Sequence, residues 1–135
     1  REDVDRRCIR WHASSMKITA RLLVLLVAAI HVGILVLEMF YFDHPIGRDV
    51  FGTTPEESAT MAVLAANQGL YNGFLAAGLF WGVLGGKTDV IIFFLLGVIV
   101  AGVYGAATAS GTILIVQALP AALALVITLL ALRKS

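Results

Sequence analysis

The sequence predicts an all-α fold, a four-helix transmembrane bundle with short connections and both termini on the inner side of the membrane. Hydrophobic residues make up 59% of the 135 residues and charged residues 14%, against roughly 45–50% and about 25% in soluble domains. Four apolar stretches reach the length of about 20 residues that a hydrocarbon core of roughly 30 Å requires. This composition excludes a disordered chain, a nucleic-acid-binding module and an ordinary cytosolic enzyme.

The four predicted helices cover residues 18–42, 58–84, 90–109 and 112–132. In the polar loop between the first two, Pro55 followed by two glutamates is typical of a helix start. The turn of residues 85–89 ends the second helix, and we expect Thr88 or Asp89 to cap the third. Pro120 is expected to kink the fourth helix or weaken its hydrogen-bond ladder.

Residues 1–15 differ from the rest and do not begin with Met, so we interpret them as a non-native or disordered extension of a membrane domain over residues 16–135. A cleaved signal peptide is the alternative interpretation of the first helix. Its apolar run is long, however, and no small-residue cleavage site precedes Phe42. Cys8 is the single cysteine, so no internal disulfide forms.

The basic residues predict the topology. Nine of the ten lysines and arginines lie on one side if both termini are cytoplasmic, and only Arg48 lies outside. Since basic residues favour the cytoplasmic side, we expect a multi-pass protein of the bacterial inner membrane.

Rows of small residues run along the second and third helices and predict close packing, because such residues let helix backbones approach in lipid. The rows are Gly69, Gly73 and Ala77 beside Gly78 and Gly82, and Gly97, Ala101, Gly105 and Ala109 beside Gly102 and Ala106. We expect these two helices to pack against each other or across a homodimer.

Polar side chains inside the helices are the candidate site residues. His31 and Glu38 are seven apart on one face of the first helix, and ionisable groups at such positions are often functional. The other helices contribute the ligand-binding candidates Asn67, Gln68, Tyr71, Asn72, Tyr104 and Gln117. Counted from the outer helix ends, Glu38 lies about 5–8 Å from the boundary and Asn72 lies in the inner half. We predict a polar cavity that opens outward.

Three functions fit this pattern. The first is proton-coupled transport or binding of a small lipophilic compound, with Glu38 as the proton carrier. The second is a membrane-embedded isomerase or hydrolase that uses His31 and Glu38 as acid and base on a lipid-like substrate. The third is an accessory or structural subunit whose amides only join helices. No metal-ligand spacing and no phosphate-binding loop occurs, so we expect neither a metal nor a cofactor.

Several motifs carry a family resemblance. They are residues 67–79 (NQGLYNGFLAAGL), His31 with 38–40, 51–52, 101–105 and 117–120. These motifs resemble the bacterial family known as domain of unknown function 1304, from Met16 to the C-terminus. The resemblance implies a small four-helix integral membrane protein and brings no reaction or ligand with it.

Overall fold

The computed structural model describes the backbone of residues 2–133 and the side chains of residues 15–133. Within those limits the chain is helical apart from short turns and contains no strand, which confirms the all-α prediction. The helices are α1 (Glu2–Val36), α2 (Pro45–Phe51), α3 (Pro55–Leu84), α4 (Thr88–Thr108) and α5 (Leu119–Arg133), with π-helical turns at Leu37–Tyr41 and Leu114–Ala118. The prediction for residues 1–15 falls almost entirely outside the described side chains and stays a prediction.

Among the residues that the structure describes, three helical stretches are long and apolar enough to cross a membrane. They are Ser15–Tyr41, Thr88–Thr108 and Leu114–Arg133. The second predicted span is helical and, as α3, has 30 residues, but it is not one of the three. The amides of Asn67, Gln68 and Asn72 interrupt its apolar sequence and lower its hydropathy.

The predicted start of α3 is confirmed, and its local cause is a reciprocal cap. The Thr54 hydroxyl accepts a hydrogen bond from the Glu57 backbone N–H at 3.2 Å. The Glu57 carboxylate in turn accepts one from the Thr54 backbone N–H at 2.9 Å. This capping box satisfies backbone groups that the first helical turn leaves open.

The predicted cap of α4 is wrong. Lys87 is the residue that precedes the helix, and its side chain makes no capping hydrogen bond. Thr88 and Asp89 lie inside the first turn instead. The turn itself is as predicted, because α3 ends at Leu84 and Gly86 takes a left-handed conformation with φ +62°.

The polar loop contains a short helix, α2, that the sequence analysis did not predict. The His44 imidazole accepts a hydrogen bond from the Ile46 backbone N–H, and Pro45 occupies the first helical position. The helix ends at Gly52, whose φ of +65° is a left-handed conformation that favours glycine.

Asp43 fastens this loop to α3. Its Oδ1 atom accepts hydrogen bonds from the Ser58 hydroxyl at 2.5 Å and from Arg48 Nη1 at 3.0 Å. Ser58 is fully buried, so its hydroxyl depends on partners within the protein. Asp43 therefore joins the start of α3 to α2 through a partly buried hydrogen bond.

The described part of the chain forms two compact units. One contains residues 28–77, and the other contains the residues on either side of that stretch. In the second unit, Leu79, Leu95 and Val98 are fully buried. Here α4 packs against α5 and the π-helical turn that precedes it.

The small-residue rows divide between neighbours. In the second unit, a Cβ on Gly78 would overlap the Phe94 ring, and one on Gly82 would lie 2.6 Å from Ile91. This confirms the predicted approach of α3 to α4 at that end. A Cβ on Gly102 would lie 2.9 Å from Ala118. Part of the α4 row therefore packs against the π-helical turn that precedes α5. The predicted homodimer stays a prediction.

The weakened ladder predicted around Pro120 is confirmed. Proline has no N–H to donate, and the helix just before it widens into the π-helical turn Leu114–Ala118. The Leu119 N–H donates to the Leu114 carbonyl, five residues back. The regular α-helical hydrogen bonds, which span four residues, are thus replaced over the turn just before the proline by bonds that span five.

We predict that Gly102→Ala lowers the thermal stability of the purified protein in detergent, by about 1–3 kcal/mol, because the added methyl overlaps Ala118 backbone. Gly97 on the same helix is the matched control. No atom lies within 4 Å of a Cβ built there, so Gly97→Ala should leave the melting temperature unchanged or slightly higher. Equal effects of the two substitutions would contradict this packing.

We also predict that Asp43→Ala destabilises the protein by about 1–3 kcal/mol, since it removes the charged and closer acceptor of the buried Ser58 hydroxyl, which then keeps only the Pro55 carbonyl at 3.2 Å. Asp49, an exposed acid on α2, provides the control, and Asp49→Ala should change stability little. Thermal unfolding measured at one pH and detergent concentration compares the two. A loss of the same size in both variants would show that general surface charge is responsible.

Candidate functional site

Glu38 lies on a π-helical turn within a stretch that can cross a membrane. It is the second residue of Leu37–Tyr41, the turn that continues α1, and its side chain is half-buried. A π-helical turn shifts the register of the side chains that follow it, and such turns are frequent at functional sites. The backbone geometry thus marks the same residue that the sequence selects by its charge.

Two glycines bring α3 close to this turn. A Cβ on Gly69 would lie 2.7 Å from Met39 Cγ and 3.0 Å from Glu38 Cβ, and one on Gly73 would lie 2.6 Å from Leu35. At Gly69 the Leu35 backbone carbonyl also lies 3.1 Å away, so a larger residue there requires the helices to move, whereas at Gly73 the Leu35 side chain alone would have to shift. This is a correction to the sequence analysis, because Gly69 and Gly73 pack against the end of α1 and were expected to face the third helix.

The close approach pairs Glu38 with Asn72. Asn72 Nδ2 donates a hydrogen bond of 2.9 Å to Glu38 Oε2 and a second of 3.2 Å to the backbone carbonyl of Gln68. The amide is therefore held from two sides. Among the residues that the structure describes, no donor bonds to Glu38 Oε1, so this oxygen is available to a proton or to a ligand.

The Glu38–Asn72 pair corrects the predicted depths. Counting from the helix ends assigned Glu38 to the outer boundary and Asn72 to the inner half, yet a hydrogen bond joins them. The reason is that α3 runs 17 residues from Pro55 to Asn72, about 26 Å, whereas the π-helical turn ends three residues after Glu38. Measured from the pair, the start of α3 is therefore further along its helix than the end of the π-helical turn is along α1, and the loop residue Asp43 spans the difference to reach Ser58.

His31 lies on α1, two turns before Glu38, and its side chain is fully buried. An imidazole with no exposed surface cannot contact a substrate in this conformation. The residue is thus part of the interior of the unit formed by residues 28–77.

The remaining candidates on α3 are not joined to Glu38 through their side chains. Asn67 and Gln68 are exposed, and only the backbone carbonyl of Gln68 takes part, by holding Asn72. Tyr71 is also exposed and makes an edge-to-face contact with Phe74 at 6.3 Å between ring centroids. Tyr104 and Gln117 belong to the other compact unit, Tyr104 exposed on α4 and Gln117 half-buried in the second π-helical turn.

Sequence reasoning named Glu38 and Asn72 but missed that they form a pair. The signal was present in the glycine row. Gly69 and Gly73 lie three residues before and one residue after Asn72, so whichever helix they approach comes within reach of its amide. The predicted set of ligand-binding residues therefore contains one demonstrated contact between side chains.

Comparison with known proteins gives a family and no activity. Residues 25–129 match the family described as protein of unknown function (DUF1304), which includes Glu38 and Asn72 within the matched range. No curated protein and no solved structure matches the chain. Because the match covers most of the sequence, the chain belongs to the DUF1304 family.

Proposed function

We propose that this chain is a multi-pass protein of the bacterial inner membrane that binds a small lipophilic compound at Glu38 and Asn72 and exchanges it for a proton. The observation that carries the proposal is the half-buried carboxylate on the π-helical turn, with one oxygen held by Asn72 and the other available. Ionisable groups inside membrane helices are costly and tend to mark ion or substrate pathways.

The depth of the pair supports this function if α3 is the fourth membrane helix. Leu84, the inner end of α3, is 12 residues from Asn72, or about 18 Å along the helix axis. In a hydrocarbon core of about 30 Å, the pair would then lie near the middle. The first turns of α3, which carry Glu56, Glu57 and Thr60, would extend beyond the outer boundary together with α2.

A carboxylate at that depth can alternate between two partners. It binds a proton and becomes neutral, or it stays charged and binds a cationic group of a lipophilic compound. Either state removes the cost of an unpaired charge in an apolar medium. Because the two partners exclude each other at one carboxylate, movement of the compound is coupled to movement of a proton.

The enzyme alternative needs His31 to reach a substrate, and the fully buried position of that side chain does not favour it. The accessory-subunit alternative has a specific observation behind it. Asn67 and Gln68 are exposed on α3, and amides are expensive when they face lipid tails. A second protein or a second copy on this face would supply partners for them.

A third prediction concerns topology. In a Cys8→Ser background, a membrane-impermeant maleimide should label Asp49→Cys and Ser110→Cys in intact cells. It should label Lys87→Cys only after the membrane is opened, because the positive-inside rule assigns the turn that contains Lys87 to the cytoplasm. Labelling of Lys87→Cys in intact cells, or protection of Asp49→Cys, would contradict the proposed topology.

A fourth prediction concerns Glu38. In liposomes that contain the purified protein, a gradient of tetraphenylphosphonium, a lipophilic cation, should drive a proton flux measured with an internal pH dye. Glu38→Gln should reduce this flux at least about tenfold, because the amide has nearly the same shape but binds neither a proton nor a cation. Glu38→Asp should retain part of the flux.

The matched control is Asp49→Asn, which removes an exposed acid from α2 and should leave the flux at the wild-type rate. A flux that Glu38→Gln does not change would reject Glu38 as the carrier. If that substitution lowers only the melting temperature, the accessory-subunit alternative is favoured over transport.

A further inference from the structure

The compact unit that contains the α3–α4 turn has a cavity of about 260 Å³. Lys17 and Arg21 of α1 line it from one side, and Thr88 and Thr128 contribute hydroxyl groups. At about 30 Å³ for each water molecule, the cavity holds about eight. That is enough room for a phosphate group with a small alcohol attached to it.

The charge of this cavity is positive. Among the residues that the structure describes, neither Lys17 nor Arg21 forms an ion pair or a side-chain hydrogen bond. Asp89 is the nearest acid in sequence to the cavity residue Thr88, but it lines a different hollow, beside Trp81 and Phe93. The two cations are therefore not neutralised by the acid of the adjacent turn.

The start of α4 adds donors to the same place. Thr88 is the first residue of the helix and lines the cavity, and Lys87 gives the first turn no side-chain cap. Uncapped backbone N–H groups at a helix start favour anions. With two cations, a hydroxyl and a helix start around one cavity, the ligand is an anion.

The surroundings indicate the kind of anion. Trp81 is exposed beside the cavity residue Gly82, and Lys87 Nζ lies 4.6 Å from the centroid of its ring. Exposed tryptophan near basic residues is typical of the level of the lipid headgroups. Leu132 and Val83, which also line the cavity, provide apolar surface for the start of an acyl chain.

We propose that this cavity binds the phosphate headgroup of an anionic phospholipid, such as phosphatidylglycerol, at the cytoplasmic face of the membrane. The lipid phosphate contacts Lys17, Arg21 and the start of α4, and its glycerol fills the space near Thr128. This site shares no residue with the Glu38–Asn72 pair, so it is independent of the proposed exchange, and only its assignment to the cytoplasmic face rests on the proposed topology.

The test uses the purified full chain in an uncharged detergent. Short-chain phosphatidylglycerol is added, and the melting temperature is followed because a ligand that binds only the folded state raises it. We expect phosphatidylglycerol to raise the melting temperature, and phosphatidylcholine and inorganic phosphate at equal concentration to have no effect. An equal rise with inorganic phosphate would assign the site to free phosphate and overturn the lipid assignment.

Three variants locate the site. The double variant Lys17→Gln and Arg21→Gln should weaken the apparent affinity about tenfold or more, because each cation contributes to binding of an anionic lipid. Arg133→Gln is the matched control, since Arg133 lies at the end of α5 without lining the cavity, and its affinity should equal that of the wild type. An equal loss in Arg133→Gln would show general attraction to surface charge and overturn the proposal.

Ala20→Leu keeps both cations and fills the cavity, because Ala20 is buried and lines it. It should weaken binding to a similar degree. Wild-type affinity in this variant would overturn the proposal even if the double variant does not fold.

Discussion

The close approach of α1 and α3 at Gly69 and Gly73 is the constraint on which the candidate site depends. In lipid, apolar side chains gain nothing by leaving their surroundings for one another, so helices associate where backbones can come close and where polar groups can pair. Both conditions are met at the same point of the molecule. The glycines remove the side chains between the helices, and Asn72 then reaches Glu38 with a hydrogen bond of 2.9 Å.

The sequence was sufficient for several features that depend on local pattern, although the predicted cap of α4 was wrong. Apolar length located four helical segments, and Thr54, Pro55 and Glu57 marked the start of α3 because capping is decided within one turn. Pro120 marked the irregular turn before α5 for the same reason. The relative depth of residues on two different helices could not be predicted, because the depth on each helix was counted from the end of that helix. Glu38 and Asn72 were therefore assigned to different halves of the membrane.

The short helix α2 was not predicted, for another reason. Its seven residues are too few to show a periodic apolar face, and its stability comes from contacts at its ends. Asp43 supplies such a contact, since it accepts hydrogen bonds from Arg48 and from the buried Ser58. His44 caps the start of α2, and Asp43 connects the loop to α3.

The charged residues away from the Glu38–Asn72 pair do more than predict the topology. Arg48 is bonded to Asp43 and Glu57 caps α3, so these outer charges are used within the protein. Lys17 and Arg21 have no such partner among the described residues and instead face a cavity. The inside distribution of basic residues that we propose leaves these two cations without an ion pair among the described residues. The partner that we propose for them is an anion of the membrane itself, whereas we propose that Glu38, on the first apolar stretch, meets what enters between α1 and α3.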